Sequence, residues 1–129
     1  MNKILVEVSV GELLDKISIL EIKKEKIKDE ESLRFISEEY DVLKDELNKN
    51  IKNDDNLKNL FNSLKDINSK LWIIEDDKRM CEKNRDFGEK FIKLSRDVHF
   101  LNDNRARIKL EINKYTGSKI KEIKEYTKY

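Results

Sequence analysis

At 129 residues the chain is long enough for one domain with a small core. Charged residues make up 43% and hydrophobic residues 37%, and because the apolar ones are periodic this predicts long helices with solvated outer faces, not disorder. A net charge of +1 gives no reason to expect a nucleic acid, and lone Cys81 excludes an intramolecular disulfide and a cysteine zinc site. No apolar run approaches about 18 residues and there is no signal-peptide core, so no membrane partner is expected and the chain reads as cytoplasmic.

In chain order, Ile4, Val6, Val8 and Val10 alternate, which predicts a short extended N-terminal segment. Ser9 with Glu12 fits a capping box and predicts a helix over about Val10 to Lys28. Leu13, Leu14, Ile17 and Leu20 form its stripe, which continues into Glu21 and Lys24. Ile19 and Ile22 lie on the opposite side, so this helix should touch more than one neighbour. Ser32 is the expected cap of a second helix, about Leu33 to Ile51, with the uninterrupted stripe Leu33, Ile36, Tyr40, Leu43, Leu47 and Ile51. Polar residues from Asn48 to Asn56 read as a linker.

A third helix, about Asn56 to Lys83, carries Leu57, Leu60, Leu64, Ile67 and Leu71 at three- and four-residue steps. At about 100° per residue the same line passes into Glu75, Lys78, Arg79 and Glu82. Asp86 is the expected cap of a fourth helix, about Phe87 to Thr116, whose stripe Phe87, Phe91, Leu94, Val98 becomes Asn102, Arg105, Lys109 and Ile112. Gly117 is placed to end it in a left-handed turn. The tail, with Ile120, Ile123, Tyr126 and Tyr129, reads as a C-terminal arm. The expected architecture is therefore all-α: one domain over 1–129, an antiparallel bundle of about four long helices.

Charge is uneven along the chain. Residues 29–47 carry eight acids against two bases, and residues 102–129 carry eight bases against four acids. Such halves are expected to attract each other within or between subunits. With the second apolar side of the first helix, this predicts a homodimer.

In three of the four helices the apolar stripe turns polar without changing face. Charges on a buried face must be paired or line a polar site, because isolated burial costs several kcal/mol. The bland reading is exposed or mutually satisfied ion pairs at helix ends. Geometry adds a constraint: in a simple hairpin of the third and fourth helices, Arg105 lies about 15 Å beyond the level of Glu75. These clusters meet only if the first helix, the tail or a second subunit joins them. No cofactor or metal is expected; the alternative is magnesium on Glu75, Asp76 and Asp77, with Glu38 and Glu39 as a second set in the manner of all-α nucleotide pyrophosphatases. Consecutive helical residues diverge, so at most two of the three can share an ion. His99 reads as a half-buried structural residue, and Cys81 as a small hydrophobe.

The segments VSVGELLDKISILEIK (residues 8–23), LWIIEDD (71–77) and NDNRARIK (102–109) together resemble an uncharacterised bacterial and phage family, a domain of unknown function. The resemblance implies that Asp15, Lys16, Glu21, Lys23, Glu75, Asp76, Arg79, Glu82, Arg96, Asn102, Asp103, Arg105 and Lys109 stand at the family's polar positions. In the tail Glu122, Lys124 and Tyr126 match as well. The chain departs from the pattern at His99, where tyrosine is usual, and at Ile123, where an acid is usual.

Arg and Lys interspersed with Glu and Asn suit an anionic small molecule. The expected ligand set is Lys16, Glu21, Glu75, Arg79, Glu82, Asn102, Arg105, Lys109 and Lys124, and the expected ligand a nucleotide or phosphorylated sugar. The rival is a helical module docking on a larger protein. Arg105, if it binds no ligand, should pair with a buried acid such as Glu21 or Glu75.

Overall fold

A computed structural model describes residues 2–119, 123 and 128. These residues form four α-helices and no strand: α1 (Val10–Lys26), α2 (Glu30–Asn50), α3 (Asp55–Lys83) and α4 (Glu89–Thr116). The all-α bundle expected from periodicity is what the chain forms. None of the described helices is long and apolar enough to cross a membrane. Most of the expected C-terminal arm, Lys124 included, lies outside the described residues. Residues 2–9 form neither helix nor strand, and Ile4, Leu5 and Val6 are 90, 89 and 75% exposed.

The hub is α1, which lies against each of the other three helices, while α3 pairs with α4 and the α2 backbone comes close to α1 alone, its Leu47 side chain reaching the α3 residues of the core. Leu14 and Ile17 join Leu47 of α2, Leu57, Leu64, Ile67 and Leu71 of α3, and Ile108 and Ile112 of α4 in one core. Each such side chain contributes roughly 1.5–3 kcal/mol when fully buried. Ile22, across from that stripe, is buried as well. On the second apolar side of α1, Ile22 is thus covered within the chain and Ile19 is half-buried. The acidic stretch on α2 does not lie beside the basic α4, because those two helices do not meet.

Helix ends explain the shifted boundaries. Ser9 caps α1 as expected, accepting the Glu12 amide at 3.0 Å. The Glu12 carboxylate does not fold back to close the box; it reaches Lys109 on α4 at 2.7 Å. Asp29, not Ser32, caps α2, its carboxylate taking both the Ser32 amide and the Ser32 hydroxyl at 2.9 and 2.7 Å. An ionised acceptor at a helix N-terminus outcompetes a hydroxyl, so α2 starts one turn early. Asp86 likewise does not cap α4. Its side chain accepts the Gly88 amide at 3.2 Å inside the turn, and α4 begins at Glu89 with no side-chain cap.

Candidate functional site

The sequence of contacts between α1 and α4 sets their direction. Gly11 meets Asn113, Glu12 meets Lys109 and Asp15 meets Arg105, so the helices run antiparallel. The approach is close: a Cβ on Gly11 would stand 2.6 Å from the Lys109 carbonyl oxygen. The Gly11 amide donates to Asn113 Oδ1 at 2.7 Å, while Asn113 Nδ2 is buried without a hydrogen-bond acceptor among the described residues.

At the next turns of the α1–α4 seam lies a buried charge. The Asp15 side chain is 2% exposed and accepts Arg105 Nε at 2.9 Å and Nη2 at 2.5 Å, a two-pronged guanidinium–carboxylate pair. From α3, Asn68 Nδ2 donates to the same carboxylate at 2.9 Å and to Ser18 Oγ at 2.8 Å. The Ser18 hydroxyl in turn donates to the Asp15 carbonyl at 2.8 Å, leaving its oxygen to receive Asn68. Lys109 Nζ, on Glu12, stands 3.9 Å from Asp15. Burial alone would push the Asp15 carboxyl up and is the largest single influence on it. The hydrogen bonds from Arg105 and Asn68 and the charges of Arg105 and Lys109 outweigh it together, so the group ionises below the ordinary 3.8.

Beside this cluster a cleft of about 420 Å³ opens between α1, α3 and α4. Ile19 and Ile22 of α1 form one wall; Asn68, Leu71, Trp72, Glu75, Asp76 and Arg79 run along α3; Arg105 of α4 closes one end. The α3 residues from 68 to 79 span about 16 Å. Arg105 meets Asp15 at the level of Asn68, seven residues or about 10 Å along α3 from Glu75, and α1 is the element that joins the two along one groove.

The expected site residues divide accordingly. Glu75, Arg79 and Arg105 share the cleft, with Asn102 beside Arg105 at 3.5 Å. Lys109 is buried in the Asp15–Glu12 cluster. Lys16 and Glu82 are exposed and line no part of the cleft. Glu21 faces elsewhere: it accepts Tyr40 of α2 and Lys65 of α3, both at 3.1 Å, and ties three helices together. Arg105 thus has a buried acid as partner, but that acid is Asp15 and neither Glu21 nor Glu75. His99 is exposed, where a half-buried residue was expected, and Cys81 is buried as read. Glu38 and Glu39 are exposed on α2, whose backbone does not come close to that of α3, and no three potential ligands gather for a metal among the described residues.

Asn68 and Ser18 were missed, and Asp15 stood out only through the family pattern. A trace existed for each. Asn68 falls between Leu64 and Leu71 inside an apolar stripe, and Asp15 lies between Leu14 and Ile17 on a helix apolar on two sides.

The model of a family of unknown function, DUF6165, matches residues 4–129. No curated protein and no solved structure matches the chain.

Proposed function

The chain belongs to DUF6165, and because that membership names no activity we propose from the cleft itself that the protein binds a small anionic molecule there, a nucleoside monophosphate or a phosphorylated sugar. One observation carries this reading. Glu75, Asp76 and Arg79 line a cleft that is otherwise largely apolar, and their side chains make no hydrogen bond or ion pair among the described residues. All three are exposed, so a ligand in the cleft can reach them without displacing a partner.

Arg79 takes the anionic group through its planar fork of donors. Glu75 and Asp76 accept from hydroxyl or amino groups of the same molecule. Trp72, with Leu71, Ile19 and Ile22, covers its apolar part. Arg105 is already neutralised by Asp15, so two acids face one uncompensated arginine. That balance favours a ligand with a single phosphate over a polyphosphate.

Trp72 is the chain's single tryptophan, so its fluorescence reports on the cleft directly. Titration with nucleoside monophosphates and hexose phosphates should change that emission saturably. Arg79→Ala should weaken binding by about tenfold or more, the size of one charge-assisted contact, with the melting temperature kept. A Trp72 signal indifferent to both ligand classes, with no saturable heat by calorimetry, overturns the reading.

A further inference from the structure

Burial stops halfway along the α3–α4 hairpin. In α4 no residue before Ile108 is buried, and in α3 the buried run ends at Leu71 apart from Cys81. On this open half Ile73, Ile92 and Phe100 are 51, 55 and 40% exposed. They belong to one furrow. Ile73, Ile74, Asp97 and Phe100 line its part along the seam of the two helices, and Ile92 and Arg96 join Asp97 and Phe100 in its continuation over α4. It shares no lining residue with the cleft.

We propose that this furrow seats a second copy of the chain, with the two α4 helices antiparallel about a two-fold axis between Arg96 and Asp97. An interface of that symmetry brings residue i onto j and j onto i, so the patch must complement itself. This one does. An axis at that point sets Arg96 level with Asp97 of the second copy, and the reverse pair forms by symmetry. Ile92 comes within one residue's rise, about 1.5 Å, of the level of the second copy's Phe100. Ile73 and Ile74 give the apolar floor on which the facing Ile92 rests. Adjacent opposite charges flanked by apolar residues on both sides are what a two-fold pair requires, and an unrelated protein partner would require no such internal symmetry. The open half is also neutral: residues 72–101 hold seven acids and seven bases, so like copies meet without net repulsion. Lys93 holds Asp97 at 2.8 Å in the single chain, and the facing Arg96 adds a second cation to that carboxylate.

Sedimentation velocity of the full chain from about 1 μM to 1 mM tests this. The expected mass rises from 15.5 kDa toward twice that value. Arg96→Asp and Asp97→Arg should each weaken association by about tenfold or more, and the double exchange R96D/D97R should restore it, because only the pairing of opposite charges across the axis matters. Ile92→Glu should abolish it; Ile92 is exposed, so folding is not at stake. A mass of 15.5 kDa throughout, association that Ile92→Glu leaves unchanged, or failure of the double exchange to recover it overturns the proposal.

Discussion

Asp15 keeps its charge inside the molecule because Arg105, Asn68 and Lys109 surround it, and the cost of disturbing it depends on which partner is removed. The Asp15 side chain is 2% exposed and that of Arg105 29%. Arg105→Ala strands a carboxylate that cannot reach water, and should cost roughly 3–5 kcal/mol. Asp15→Asn leaves an acceptor in place and an arginine that can hydrate, so its cost should be smaller. Arg107→Ala, on the exposed side of α4, should stay within about 0.5 kcal/mol. Urea melts of the three variants check this order, and equal losses in Arg105→Ala and Asp15→Asn would contradict it. The pH dependence has a fixed sign. The folded carboxyl ionises below its ordinary 3.8, so its contribution is complete above that value and disappears as pH falls through the depressed folded value. Acid titration of stability should therefore show a loss below about pH 3.8 that Asp15→Asn reduces.

Two of the helices end in the same way, with different residues in the critical position. At the end of α4, Gly117 is left-handed at φ 68°, and Ser118 donates back to the Asn113 carbonyl at 2.9 Å. At the end of α3 the same six-to-one bond runs from Asp86 to the Cys81 carbonyl at 2.8 Å, but the left-handed residue is Arg85 at φ 52°. A Cβ in that region costs roughly 1–2 kcal/mol. Arg85→Gly should raise stability by about 1 kcal/mol, and Gly117→Ala should lower it by a similar amount. Thermal melts that move a few degrees in opposite directions would bear this out; a drop in both would show that the Arg85 side chain contributes more than its backbone costs.

Across the whole molecule, protection should follow the contacts of α1. That helix buries seven residues, whereas α2 buries only Leu47 and rests chiefly on α1. Local opening of α2 exposes little apolar surface and breaks one helix pair, while opening α1 dismantles all of them. Native-state hydrogen exchange should show α2 amides exchanging through a smaller opening free energy than those of α1 and the first half of α3. Equal protection in α1 and α2 would mean the bundle opens as one unit.

The helices themselves were legible because a helix is a local object. Residues three and four apart share a face, so Leu57 to Leu71 announce α3, Ile19 and Ile22 announce a second covered side on α1, and Gly117 announces an end. Boundaries slipped where two local acceptors competed, as Asp29 and Ser32 did at α2. The Asp15 cluster was of another kind. Its bonds join Asp15 to Asn68 and Arg105 across 53 and 90 residues, and helical periodicity carries no information over such a distance. It shows that Arg105 must point inward; which carboxylate it meets is decided by how closely α1 and α4 approach, and Gly11 permits that approach by lacking a side chain. The cleft followed from the same packing, since Glu75, Arg79 and Arg105 share a groove only because α1 lies across the hairpin to wall it.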